Sequence, residues 1–210
     1  MNKWDDVARQ RRLWEREAPR YDRQIAFFER RFFGDARAWA CAHASGDVLE
    51  VAVGTVRNLS FYPDDVRLTG IDLSPAMLAI ARDRAADLGR EVDLREGNAH
   101  ELAFPDASFD TVVCTFSLCN IPDERRAVAE MHRVLRPGGL LVLADHVASD
   151  QRLVLAVQWL FEKLTYWMAG DHQTRHPLPI VEQTGFVIEE RQRYAKGIVE
   201  RLTARKPISG

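Results

Sequence analysis

The chain has 210 residues, 46% of them hydrophobic and 29% charged, a balance that excludes disordered, collagenous and disulfide-scaffold proteins and fits one packed domain over residues 1–210. With 29 basic against 31 acidic side chains, the formal charge is -2; without a cationic surplus for phosphate, no nucleic-acid partner is expected. Cys41, Cys114 and Cys119 are odd in number and lack CxxC spacing, which predicts free thiols in a reducing compartment and no metal site. The charged N-terminus lacks the apolar core of a secretory signal and no later window is an uncharged bilayer-length run, so the expected location is the cytoplasm.

Residues 1–40 hold Trp4, Trp14, Tyr21, Phe27, Phe28, Phe32, Phe33 and Trp39 among many arginines and read as helix. Short β-rich runs follow at Asp47–Val53, Val66–Asp72, Val92–Glu96, Phe109–Thr115 and Leu140–His146, separated by segments of helical apolar spacing. The segment Asp123–Leu135 shows the logic. Asp123 and Glu124 stand at its start, Ala127, Val128, Met131, Val134 and Leu135 share one face, and Pro137-Gly138-Gly139 is expected to end it. Strands joined by crossover helices lie parallel. A second aromatic helical stretch spans 151–180, and Phe186–Arg193 with Ile198–Arg205 alternate around Tyr194-Ala195-Lys196-Gly197 as an antiparallel hairpin. The expected fold is α/β: a doubly wound, seven-stranded, mostly parallel sheet with a C-terminal antiparallel hairpin.

The two aromatic helical segments, 1–40 and 151–180, admit three readings. They pack on the sheet, they form a lid over an apolar substrate, or they touch a membrane surface through arginine-flanked aromatics. Paired aromatic helices also leave monomer and homodimer open.

In an open α/β sheet, ligands bind outside the carboxyl ends of the strands. The first strand ends in Glu50-Val-Ala52-Val-Gly54-Thr55-Val56-Arg57-Asn58, where Gly54 permits close backbone approach to a ligand. Eighteen residues beyond Gly54, Asp72 closes the second strand, placed to accept hydrogen bonds from ribose hydroxyls. Gly97-Asn98-Ala99-His100 follows the third strand, where a short amide and a backbone N–H suit the edge of an adenine ring.

With these residues in view, the chain resembles the class I S-adenosylmethionine-dependent methyltransferases over roughly residues 15–206. Leu49–Thr55, Thr69–Leu78, Phe104–Asp110 and Arg133–Gly139 carry the likeness; Val113–Cys119 and the C-terminal ending look most like the phospholipid, quinone and thiol branch. The resemblance implies S-adenosylmethionine as cofactor, a Rossmann-like fold and a small-molecule acceptor, apolar or amphipathic, with N, O or S as nucleophile. It implies that Glu50 orients the cofactor's amino-acid end, Ala52, Gly54, Thr55 and Asn58 form its loop, Asp72, Leu73 and Met77 hold the ribose side, Asn98 and Ala99 meet the adenine, and Thr115 completes the site. The family's loop has three alternating glycines, and here Ala52 and Val56 replace the first and third. A branched valine is expected to avoid left-handed backbone angles and to crowd the loop.

An acceptor that carries a proton calls for a base. His146, after Asp145 at the end of the fifth strand, is the first candidate and His172 the second; Tyr21 is placed to close the cofactor pocket. Arg57 stands where a dinucleotide fingerprint would have glycine, which argues against a dehydrogenase. A non-catalytic binding protein, motivated by Val56, and non-methyl chemistry on the same fold are the alternatives.

Overall fold

The computed structural model of the chain describes residues 3–169 and 174–208. Parallel pairing joins β1 (Asp47–Val51), β2 (Arg67–Asp72), β3 (Asp93–Glu96), β4 (Phe109–Thr115) and β5 (Leu135–His146). β6 (Val187–Tyr194) and β7 (Val199–Arg205) add an antiparallel hairpin beside β5. The order is β3-β2-β1-β4-β5-β7-β6, so strand order reverses between β1 and β4 and their carboxyl ends open a crevice. Each expected strand boundary lies within two residues of the observed one except the start of β5. Leu135 is already extended and pairs with Phe109, so Pro137-Gly138-Gly139 forms an irregular start to the strand instead of following a helix end.

Helices cover both faces: α1 (Lys3–Phe28), continued by a π-helical turn Glu29–Phe33, α2 (Ala36–Ala42), α3 (Pro75–Asp87), α4 (Glu124–Val134), α5 (Arg152–Ala169) and α6 (Pro177–Gln183). Strand alternation divides the core. Leu49, Val112 and Leu141 join Val128, Met131 and Ile180 from α4 and α6, while their neighbours Val48, Val113 and Val142 join Ala40, Leu78 and Ala81 from α2 and α3. α4 behaves as its pattern predicts, with Ala127, Val128, Met131 and Val134 fully buried and Asp123 capping its start by accepting from the Arg126 N–H at 3.2 Å. Ser74 caps α3 in the same way through the Met77 N–H at 3.3 Å, with Pro75 in the first turn. All three cysteines are buried and outside any disulfide; burial raises the Cys41 and Cys114 thiols far above their ordinary range, as inert core residues require.

Candidate functional site

The loop after β1 is built on left-handed backbone. Ala52, Gly54 and Val56 have φ of 55°, 57° and 52°, which corrects the expectation that valine would avoid this region. Val56 is fully buried among Ala40, Cys41, Val48 and Leu59. Its N–H donates to Val53 O at 3.0 Å and its carbonyl accepts from the Leu59 N–H at 3.1 Å. Packing and turn bonds together hold a conformation that a β-branched residue disfavours by about 1–3 kcal/mol. The side chain points into the core and lines no part of the cavity, so it does not crowd the ligand side. The motive for a non-catalytic reading is removed with it.

Under this loop lies a buried polar network. Glu50 accepts from Asn58 Nδ2 at 2.8 Å and from the Tyr62 hydroxyl at 2.9 Å. Asn58 Nδ2 also donates to Thr115 Oγ1 at 3.0 Å, and Arg37 donates to Asn58 Oδ1 at 2.9 Å and to Thr115 Oγ1 at 3.0 Å. Burial pushes the Glu50 carboxyl up to about 7, against the pull of Tyr62, Arg37 and Asn58. A second clasp ties α1 to the loop and to α3. Thr55 Oγ1 donates to Asp22 at 2.7 Å, Arg84 donates to Thr55 O at 2.5 Å and also to Asp22, and Arg57 donates to Asp22 at 3.3 Å and to Glu29 at 3.0 Å.

At the end of β2, Asp72 accepts from the Gly54 N–H and the Ser74 N–H, each at 2.9 Å. Burial raises its carboxyl to about 6 although these N–H groups oppose the shift. Asn98 Oδ1 accepts from the His100 N–H at 3.0 Å, closing its own turn. The Tyr21 ring lies beside Gly54, about van der Waals distance from where a side chain there would start, and meets Trp14 edge-on at 5.9 Å.

These groups surround a cavity of about 90 Å³ at the crevice between β1 and β4. Ala52, Gly54, Asp72, Leu73, Met77, Asn98, Ala99 and Tyr21 line it. Glu50, Thr55, Asn58 and Thr115 do not; they sit behind the loop, in the two networks. His146 is corrected too. It is off the cavity wall, buried, with Nδ1 3.4 Å from Asp145 Oδ1 and its own N–H on that oxygen at 2.8 Å, because the 117–121 turn covers the end of β5 through the Cys119 N–H on Asp145 Oδ2 at 3.2 Å. Donor atoms of Cys119, Asp145 and His146 lie within 4.8 Å of one another. His172 lies outside the described residues.

The wall also carries residues that strand-end reasoning missed. Gln10 and Trp14 come from α1, and Phe116, Asn120, Ile121 and Pro122 from the segment after β4. Phe116 is left-handed at φ 52° and stacks on Phe33 at 4.1 Å. Gln10 Nε2 holds the Asn120 carbonyl. Asn120 Nδ2 donates to Cys119 Sγ at 3.2 Å, while its buried Oδ1 has no partner. Only the aromatic richness of residues 4–39 signalled α1; nothing in the sequence gives which of its faces turns inward.

Residues 49–143 match the family described as "Methyltransferase domain". The chain is similar to a phosphatidylethanolamine N-methyltransferase of Cereibacter sphaeroides, 43% identical over 148 residues, 66% of this chain and 73% of that protein. It is also similar to a thiol S-methyltransferase of Homo sapiens, 36% identical over 135 residues, 62% of this chain and 54% of that protein. Among solved structures, a SAM-dependent methyltransferase from Thermotoga maritima shares the fold with a TM-score of 0.72 at 21% identity, over 93% of this chain and 99% of that one.

Proposed function

As the chain belongs to the class I S-adenosylmethionine-dependent methyltransferases, with S-adenosylmethionine its cofactor, we propose that it methylates a small apolar or amphipathic acceptor. The observation that carries this reading is the cavity wall. Trp14, Phe116, Ile121 and Pro122 make it apolar, its one carboxylate is Asp72, and among the described residues no Lys or Arg lines it. Such a wall suits a cationic cofactor and an uncharged acceptor, and it disfavours nucleic-acid phosphate. The two similar enzymes are named for a lipid amine and a thiol, acceptors that each offer one nucleophilic atom.

S-adenosylmethionine supplies an electrophilic methyl group on a sulfonium. Asp72 keeps lone pairs beyond those used by Gly54 and Ser74 and is assigned to ribose hydroxyls. Asn98 and Ala99 are assigned to the adenine, Leu73 and Met77 to packing around the nucleoside, and Ala52 and Gly54 to the close approach of the amino-acid end. Glu50, Thr55, Asn58 and Thr115 are positioning residues that fix the loop from behind. Tyr21 covers the cavity from α1. Holding nucleophile and methyl in line supplies on the order of 7–11 kcal/mol of such a barrier, which a clasped α1 and a buttressed loop are built to deliver.

The unpartnered Asn120 Oδ1 is assigned to an N–H or O–H of the acceptor, since a buried acceptor without a donor is unfavourable by about 1–3 kcal/mol. His146, off the wall, is assigned with Asp145 to holding the 117–121 turn. A thiol of cysteine-like acidity ionises near about 8.5, so part of it is already thiolate near neutral pH. The test is methyl transfer to phosphatidylethanolamine, an alkyl thiol and a reduced quinone, with transfer RNA as control. Turnover of one amphipathic acceptor, with a KM raised in Asn120→Ala and cofactor affinity kept, supports the reading. Methylation of the RNA alone, or cofactor binding with no turnover of any acceptor, overturns it.

A further inference from the structure

α5 is turned inside out. Along its described part Leu153 is 85% exposed, Val157 68%, Leu160 55% and Trp159 53%, while Gln158 is 7% exposed. The amide of Gln158 fastens the helix to the chain leaving β5, accepting from the Ser149 N–H at 2.8 Å and donating to Val147 O at 2.9 Å. A surface helix ordinarily buries its apolar stripe and exposes its amides. Here the amide is inside and the stripe 153-157-160 outside, so the protein's own core does not use it.

A second apolar group sits at the end of α1, where Phe27 is 57% and Phe28 42% exposed. Both groups are tied to the turn at Tyr194–Gly197. The Tyr194 hydroxyl donates to Phe33 O at 2.8 Å, just past Phe28, and Ser149 Oγ donates to Lys196 O at 2.6 Å, just before α5. The charges around this surface are mainly positive. Arg30, Arg31, Arg152 and Lys196 are exposed and have no carboxylate partner among the described residues, and Lys163 Nζ stands 3.8 Å over the Trp159 ring. Glu162, the one acid within α5, is engaged by Thr174 at 2.8 Å, and Asp150 and Asp171 are the acids just outside its two ends in sequence.

We propose that α5 and the end of α1 dock the protein on an anionic lipid bilayer, α5 lying in the interface with its 153-157-160 stripe among the acyl chains and the rim cations among the headgroups. Charge complementarity selects this occupant. An apolar stripe alone would suit a second copy of the chain, but a rim of unpaired cations would set like charges against each other in a symmetric pair and instead meets its complement in anionic headgroups. Among the described residues no helix is long and apolar enough to cross a membrane, and the Gln158 bonds hold α5 against the protein, so it lies on the surface. The inference concerns a surface outside the cavity and stands apart from the choice of acceptor.

The experiment is flotation of the full chain with vesicles of phosphatidylcholine and with vesicles containing about one third phosphatidylglycerol, with neither cofactor nor acceptor present. The expected result is flotation with the anionic vesicles and partitioning at least about tenfold weaker with the neutral ones. Leu153→Glu with Val157→Glu, and separately Arg30→Glu with Arg31→Glu, are each expected to weaken it about tenfold or more. All four side chains are exposed, so melting temperature and cofactor titration should stay at wild-type values. Absence of flotation with anionic vesicles overturns the proposal, as does wild-type flotation of both double variants. So does a dimer in sedimentation equilibrium that the Leu153→Glu, Val157→Glu pair dissolves without any vesicle binding. Failure here leaves turnover in the cavity untouched, and failure of every acceptor leaves flotation untouched.

Discussion

Replacing Val56 tests whether its backbone is left-handed. Two terms oppose each other. Burial of a valine side chain contributes about 1.5–3 kcal/mol, and Val56 is fully buried; holding φ at 52° costs about 1–3 kcal/mol that glycine would not incur. Val56→Ala loses two methyl groups, about 1.6 kcal/mol, and keeps much of the backbone penalty. Val56→Gly loses slightly more burial and about 0.5–1 kcal/mol to unfolded-chain entropy, but recovers the left-handed penalty of about 1–2 kcal/mol. At an ordinary buried valine, glycine is clearly worse than alanine. At position 56 the two variants should be equally stable, or glycine better by up to about 1 kcal/mol, each below wild type. Urea unfolding with a constant slope measures this, and at this chain length 1 kcal/mol corresponds to roughly 2–4 °C in melting temperature. Because the side chain faces away from the cavity, calorimetric titration should give both variants wild-type cofactor affinity. A glycine variant less stable than alanine by about 1 kcal/mol would refute the left-handed assignment, and a several-fold change in affinity would refute the placement of the side chain.

Further outcomes follow from the same geometry. The Asp72 carboxyl, raised to about 6 by burial, must be ionised to accept two ribose hydroxyls, so cofactor affinity should rise as pH climbs to about 6 and then level off. Below that point the slope approaches tenfold per unit, and Asp72→Asn should flatten it; a dissociation constant unchanged between pH 5 and 7.5 would sink the assignment. Glu50, raised to about 7, contributes stability that is complete below the ordinary carboxyl range and lost as pH rises through about 7. Glu50→Gln should therefore melt higher than wild type at pH 8, by on the order of 2 kcal/mol, with the gap closing toward pH 5; a gap that ignores pH would show that the carboxyl is ionised throughout. Asp22→Asn removes the anion that Thr55, Arg57 and Arg84 share. It should speed hydrogen exchange in α1 and weaken cofactor binding several-fold, and equal protection in variant and wild type would show that the clasp is idle.

The sheet was legible because its cues are local. Alternating strands and helices, Ser74 and Asp123 as caps, and Gly54 and Asp72 at strand ends each carry their meaning within a few residues. The site was legible wherever a strand end sufficed, which is why Ala52, Asp72, Asn98 and Ala99 reach one cavity. It was not legible where a distant segment decides. His146 stands at a strand end like Asp72, yet the 117–121 turn folds over it, and no local pattern announces that cover. Trp14 and Gln10 reach the wall because the Asp22 and Glu29 clasp rotates α1 into place, an arrangement fixed by arginines that lie 8 to 62 residues later in the chain.

Val56 and α5 fail for a shared reason. Each breaks a rule whose strength is a few kcal/mol at most: left-handed angles for valine, and apolar residues inside. A rule of that size yields when one well-packed core position, or one buried amide with two good hydrogen bonds, weighs on the other side. The family's three-glycine loop is on this view a backbone requirement, not a glycine requirement. Positions 52, 54 and 56 all keep the left-handed angle; 52 and 54 line the cavity, and at 54 the missing side chain also leaves room for a ligand beside Tyr21. A side chain added at 54 would therefore meet both a conformational and a spatial limit, whereas at 56, where the side chain fills the core, the limit is conformational alone.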